Sequence, residues 1–544
     1  MNLNDPRTVL DVAEENFVKF SNNPAFTCMG QTMTYGELDV LSKQFAAYLQ
    51  NHTNLQPGDR VAVQMPNILQ YPVAMFGIAR AGMILVNTNP LYTARELKHQ
   101  LNDSGAKAIV VLANIADTAS KVVPETSVEQ VIVTEIGDMH GFAKRLLINN
   151  VVKLKKMVPE FSFKNQVAFR DVLAKGKTGF KKVSCDREDV AVLQYTGGTT
   201  GVAKGAMLTH RNLVSNMLQL EEQLEGNFLE GQETYVAPLP LYHIYAFTVH
   251  CMAMMASGNH SILIPNPRDL DSFVKAMKGQ RITGFVGLNT LFNGLAQHQG
   301  FRDLDFSTLK STASGGMALT SEVGAKWREM TGVQVSEGFG MTETSPVVSA
   351  APPGKIQDGT VGYPVPGTEV RVTDSEGNVL PAGEPGELWV RGPQVMKGYW
   401  ERPEATAETI DSEGWLDTGD MAVIQEDGYI RIVDRKKDMI IVSGFNVYPN
   451  EIEDVVGQCP GVLEAAAIGV ADAKTGEAVK VFAVKEDASI TDKDVIAFCR
   501  ENLTGYKVPK QIEFREELPK SNVGKILRRE LKDEEQAKGN SQAA

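Results

Sequence analysis

Cysteine is scarce in this 544-residue chain: Cys28, Cys185, Cys251, Cys459 and Cys499 are scattered without a C-x-x-C pair. That excludes a disulfide scaffold and the common zinc or dithiol motifs, and it suits a reducing cytoplasm. Positive charge is also in deficit. Lys and Arg number 54 against 67 Asp and Glu, a net −13, which excludes a basic coat for nucleic acid and leaves any anionic ligand to be met locally. Long hydrophobic runs are missing too. Thr234 to Pro267 carries no formal charge, but Pro238, Pro240, Gly258 and Asn259 interrupt it. The clean stretch from Ile244 to Ala256 is too short to span a bilayer and predicts a buried helix. The opening MNLNDPRTVLDVAEENF carries acids and no apolar centre, so export is not expected. No repeat of solenoid type is present.

What remains is an ordinary globular composition, 43% hydrophobic and 22% charged, long enough for two to four domains. Residues 60 to 136 alternate strand-like runs (Val61-Ala62-Val63, Ile84-Leu85-Val86, Ile109-Val110-Val111, Val131-Ile132-Val133) with amphipathic helix-length segments, the pattern of βαβ units. A second alternation runs from Val190-Ala191-Val192-Leu193 to about Val335, so two doubly wound sheets are expected. After Gly354, short β-rich pieces punctuated by Gly and Pro predict a compact antiparallel or barrel-like unit. From Asp438 onward strand and helix alternate again over about 100 residues, as a separate small α+β domain would. The expected division is a large domain over 1–433, a junction at 434–437, a small domain over 438–531 and a frayed polar tail over 532–544.

The most informative segment is Tyr195-Thr196-Gly197-Gly198-Thr199-Thr200-Gly201-Val202-Ala203-Lys204-Gly205, directly after a predicted strand. Glycines let backbone N–H groups approach an anion, and threonine hydroxyls and a lysine add donors and charge, the makings of a polyphosphate cradle. It is not a Walker A loop, because Ala203 and Gly205 flank Lys204 where Gly and Ser or Thr are required. The chain also lacks G-x-G-x-x-G there, which disfavours nicotinamide and flavin cofactors.

With this segment, YTGGTTGVAKGAMLTH, the chain resembles the adenylate-forming superfamily of acyl-CoA synthetases, adenylation domains and luciferases. Further matches follow in family order: MTYGEL (33–38), SGGMAL (314–319), EGFGMTETSP (337–346), GELWVRGPQVMKGYW (386–400), GWLDTGD (414–420), GYIRIVDRKKDMIIVSGFNVYPNEIE (428–453) and PKSNVGKILRREL (519–531). They cover nearly the whole chain, and the later blocks are most similar to bacterial long-chain fatty-acid CoA ligases. The resemblance implies that a carboxylate attacks the α-phosphate of ATP to give acyl-AMP and pyrophosphate, and that coenzyme A then takes the acyl group. Such chemistry brings anions together and needs cations to hold them in line.

Position by position, Lys525 matches the adenylation lysine. Glu343 matches the glutamate that ligates Mg²⁺, with Thr196 as a second hard-oxygen donor. Asp420 and Arg435 match the residues that hold the ribose. Phe339 stands where relatives often carry Tyr and is expected to stack on adenine, with Gly316 and Met317 lining the purine pocket. Glu337, Gly338, Gly340, Met341, Thr342 and Ile432 complete the implied nucleotide contacts. His243, in the block Pro240-Leu241-Tyr242-His243-Ile244-Tyr245, borders the acyl carboxylate. Met252, Met254 and Met255 are either core or acyl-tunnel lining. Lys437 is the implied hinge on which a mobile small domain rotates, after which Ser443 and Gly444 contact CoA. Asp417 stands where fatty-acid ligases often have His.

A medium-chain or aryl acid ligase and an adenylase loading a carrier protein fit the same blocks. A noncatalytic acyl-nucleotide sensor would need a broken site, whereas Lys525, Glu343 and Asp420 are intact. Between Lys144 and Lys182, eleven basic residues stand against Glu160 and Asp171, inverting the sign of the chain. Within it, KRLLINNVVKLKKM is either a face for an anionic membrane or a solvated basic rim. The resemblance also implies a homodimer.

Overall fold

A computed structural model describes residues 5–196, 203–226, 228–352, 354–472, 474–521 and 524–543. The first sheet has seven strands in the order Gln166–Ala168, Gln130–Thr134, Ala108–Leu112, Arg60–Gln64, Ile84–Thr88, Val190–Tyr195 and Gly205–Thr209, parallel except for the last. Its central strands are continuous Val, Ile and Ala runs because helices cover both faces. The second sheet has nine strands. Its parallel part runs Val335–Gly340, Ser311–Gly315, Gly284–Gly287, Thr234–Ala237, His260–Leu263, Pro24–Cys28, and antiparallel strands close both edges.

Two sheets of the expected kind are therefore present, but their membership differs from the order of the chain. Val190–Tyr195 opens the second alternation in sequence yet pairs with Ile84–Thr88 in the first sheet. Pro24–Cys28, far upstream, joins the second sheet beside His260–Leu263. Pairing over such separations is decided by which faces pack together, and strand composition does not encode it.

The segment Ile244–Ala256 is a continuous helix with a π-helical centre, Phe247–Ala253, and is almost wholly buried. Met252, Met254 and Met255 sit fully inside the main core, so the core reading holds. The β-rich unit is a four-stranded antiparallel sheet, Glu369–Thr373, Gly386–Arg391, Leu416–Ile424 and Ile430–Arg435. One 3₁₀ turn, Lys436–Asp438, leads to the small domain, whose five strands pack on the helices Pro449–Gly457, Asp492–Asn502 and Arg528–Ala543. The tail does not fray at residue 532. It continues the last helix because Leu531 is buried and the buried Lys480 ammonium pairs with both Glu513 and Glu535 at 2.8 Å. Among the described residues no helix is long and apolar enough to cross a membrane.

Candidate active site

A cleft of about 2870 Å³ lies between the large domain and the small one, and its walls carry most of the implied site residues. The strand register sets the first of these. Asp420 and Arg435 are cross-strand partners in the antiparallel sheet, so their side chains share a face and meet as an ion pair at 3.4 Å. Burial raises the Asp420 carboxyl above its ordinary range, against the pull of Arg435 and Lys525. Ile432 lines the same wall.

Lys525 enters the cleft from the small domain. Its loop is closed by its own hydrogen bonds, Ser521 N–H to the Lys525 carbonyl (2.7 Å) and Lys525 N–H to the Ser521 hydroxyl (3.1 Å). Burial, with Arg435 next, lowers its ammonium to about 8, although Asp420 works the other way. Burial, with the same ammonium adding to it, pushes His243 down to about 4, so the imidazole is neutral at pH 7. The ring caps the helix start by accepting the Tyr245 N–H on Nδ1 at 3.3 Å, which leaves Nε2 to carry the proton.

What fixes the His243 segment is a buried polar relay that sequence inspection missed. Asn67 holds the carbonyls of Ala237 and Leu239 and the N–H of Leu241. The Tyr71 hydroxyl donates to Asn87, Asn87 to Gln194, and Gln194 to the Tyr242 carbonyl, each within 2.7–2.9 Å. The chain thus ties the first sheet to the wall of the second. A lone Asn or Gln in a strand gives no signal of this in sequence.

Glu343 is buried and accepts a hydrogen bond from the Tyr399 hydroxyl at 2.7 Å, while the Lys204 ammonium stands 4.8 Å from the Tyr399 ring centroid. Tyr399 was the second missed residue, though the GYW of its motif block marks the place. Burial and Glu343 raise its phenol. The Thr196 N–H bonds the Lys204 carbonyl at 3.0 Å, so the two ends of the glycine-threonine segment are clipped together. Gly197, Gly198, Thr199, Thr200 and Gly201 lie outside the described residues. The turn carrying Met341, Thr342 and Glu343 needs Gly340, where a Cβ would fall 2.1 Å from the Pro346 carbonyl oxygen. A carboxylate with one oxygen free of Tyr399 and a threonine hydroxyl on the same cleft are hard donors that suit Mg²⁺ shared with substrate phosphates.

Gly316, Met317, Gly338 and Phe339 line the cleft, with Phe339 half-buried against the core of the β-rich unit. Glu337 accepts the Leu319 N–H at 3.0 Å, and burial raises it to about 7. Asp417 accepts the Gly419 N–H instead of reaching across the cleft. Lys437 also lines it, its ammonium lowered by burial. Ser443 and Gly444 form the two-residue turn between strands Ile440–Val442 and Phe445–Val447, both at positive φ, and are not part of the cleft wall. Arg528 does not face the cleft as a free cation. Its guanidinium joins Asp434 at 3.1 Å, Glu453 at 2.6 Å and Asp438 at 3.7 Å, bracketing the Lys436–Asp438 turn.

Taken together, a lysine from one domain in the cleft of another, a ribose-sized Asp–Arg pair beside it and a clipped glycine-threonine segment fit an enzyme that activates carboxylates with a nucleotide. Residues 13–400 match the AMP-binding enzyme family and residues 451–525 the AMP-binding enzyme C-terminal domain, and the chain belongs to this family. It is 52% identical over 540 residues to a long-chain-fatty-acid–CoA ligase of Escherichia coli O6:H1, covering 99% of this chain and 96% of that one. It is 38% identical to the ligase of the same name from Bacillus subtilis, over 97% of this chain and 95% of that one. Among solved structures it is similar to the anthranilate CoA ligase AuaEII in complex with anthranoyl-AMP (TM-score 0.87, 25% identity, 98% of both chains). ATP-bound MatB from Rhodopseudomonas palustris is also similar (TM-score 0.83, 29% identity, 97% of this chain and 99% of that one).

Proposed function

We propose that this protein is an ATP-dependent, AMP-forming long-chain fatty-acyl-CoA ligase. The observation that carries the reading is the placement of Lys525 in the same cleft as His243, Asp420 and Arg435. An ammonium there stands between the two anions that must meet. The fatty carboxylate oxygen attacks the α-phosphorus of ATP, the bond to the β-phosphate oxygen breaks, and pyrophosphate leaves. Lys525 neutralises charge on both reactants, and the neutral His243 offers its Nε2 proton as a hydrogen bond beside the carboxylate. Asp420 and Arg435 hold the ribose. Glu343 and Thr196 would hold Mg²⁺, which supplies charge neutralisation at the phosphates. Rotation about Lys437 then withdraws Lys525 and brings Ser443 and Gly444 to the cleft. The CoA thiol, losing its proton, attacks the acyl carbon and AMP departs.

The near-full-length similarity to long-chain ligases supports an alkyl acid over an aryl one. The cytoplasm is the compartment that five free cysteines suit. The implied homodimer is tested by the mass in solution. Peripheral contact with the anionic cytoplasmic face of a membrane is part of the same reading, on the strength of the exposed basic and apolar helix Phe142–Leu154. The deciding experiment is CoA-dependent AMP release across fatty acids of increasing length. Release should grow toward long chains; release with aryl acids alone, or with none, would overturn the reading.

A further inference from the structure

From the nucleotide end of the cleft a trough runs along one face of the second sheet. In parallel strands, registered residues share a face, and so do alternate residues along each strand. Gly315 is in register with Gly338, Ala313 with Val286 and Ser336, and Ser311 with Gly284 and Tyr235. Down the middle of this face the strand Ser311–Gly315 presents only Gly315, Ala313 and Ser311, so nothing bulky rises from it. Leu220, Leu224 and Val249 line the same cavity from the helices above. The Tyr245 ring overlies Gly315 at one end, within about van der Waals reach of where a Cβ would be.

At the other end the trough is blocked. The Tyr235 ring lies across the neighbouring strand over Gly284, where an added Cβ would be 2.1 Å from the ring. Its hydroxyl reaches the Ser311 hydroxyl at 2.8 Å, and the Phe228 ring packs on it at 5.7 Å between centroids. Tyr235 is 4% exposed. An aromatic ring held on three sides does not swing aside for a flexible chain. Four residue steps lead from Gly315 to Ser311, about 13 Å of strand, to which the stretch between Gly315 and His243 adds.

We infer that Tyr235, laid over Gly284 and tied to Ser311, is the end stop that sets the longest acyl chain the enzyme accepts. This rests on the proposed function and specifies its substrate range. Glycine at 284 is what allows the ring to lie flat, and the small residues at 311 and 313 leave room for the methylenes before it.

The test is the chain-length profile of kcat/KM for CoA-dependent AMP release in Tyr235→Ala and Ala313→Leu. Each methylene admitted to or shut out of an apolar pocket is worth roughly tenfold or more in discrimination. Tyr235→Ala should move the optimum to longer acids, and Ala313→Leu, which plugs the trough before the stop, to shorter ones. If Tyr235→Ala does not fold, Tyr235→Leu keeps an apolar contact for Phe228 and carries the same expectation. An active Tyr235 variant with an unmoved profile overturns the end stop alone. A wild-type enzyme that releases no AMP with any acid defeats the proposed function itself, and this inference with it.

Discussion

Lys525 is a lysine whose burial makes its charge conditional. With its ammonium lowered to about 8, the protonated form dominates below that pH and is lost as pH rises through it. If adenylation needs the cation, acid-dependent pyrophosphate exchange should fall in kcat/KM above about pH 8, the quantity that reports the free enzyme. An active Lys525→Arg variant should lose that alkaline limb, since guanidinium stays charged. Lys525→Ala should cost pyrophosphate exchange about 10²–10³-fold, the usual worth of one aimed donor, and should spare thioester formation from supplied acyl-AMP. Equal loss of both half-reactions would reassign the residue. Single residues of this kind were legible in sequence because each sits in a motif of fixed spacing: Lys525, Glu343, Asp420 and Arg435 all reach one cleft. The Asn87–Gln194 relay was not legible, because a hydrogen bond between residues far apart in sequence leaves no local pattern, and for Tyr399 the motif block marked the residue but not its bond to Glu343.

At the scale of elements, the junction turn Lys436–Asp438 is held from both sides. Arg528 reaches Asp434 before it and Asp438 at its end, and Lys532 reaches Asp438 at 3.2 Å. Of these pairs only Arg528–Asp434 crosses residue 437, so the proposed rotation about Lys437 has to break that one. Proline at 437 fixes φ at that residue and restrains Lys436 as well. Lys437→Pro should therefore slow acyl transfer to CoA from supplied acyl-AMP more than it slows pyrophosphate exchange; a variant normal in both steps would remove Lys437 from the hinge. The alternation of strands and helices announced the classes of element correctly, and the texture change after Gly354 announced the antiparallel unit. Sheet membership was hidden because Val190–Tyr195 and Pro24–Cys28 read like any other buried strand. The last helix was hidden because its partners Lys480 and Glu513 lie well upstream in sequence.

At the scale of the whole molecule, the acidic surface is broken by one helix of opposite character. Phe142–Leu154 buries only Asn149, while Phe142, Leu147 and Leu154 are 72%, 65% and 83% exposed, and Leu146 and Val151 also face outward. Lys153 is committed to Glu135 at 2.5 Å and Lys144 to the Met29 carbonyl, which leaves Lys155 and Lys156 as the exposed cations at the end of the helix. Burying one such apolar side chain in the boundary of a bilayer is worth about 1.5–3 kcal/mol, and each cation near an anionic surface about 1 kcal/mol. The apolar residues should thus outweigh the charges. Leu147→Ser with Leu154→Ser should reduce cosedimentation with anionic vesicles more than Lys155→Gln with Lys156→Gln. Raising salt should weaken the wild type only in part, since apolar insertion is not screened. Because neither pair lies in the cleft, AMP release from a short, water-soluble acid should stay at the wild-type rate, while turnover of acid delivered in vesicles should fall with binding. Unchanged cosedimentation in the leucine pair would return the helix to a solvated rim.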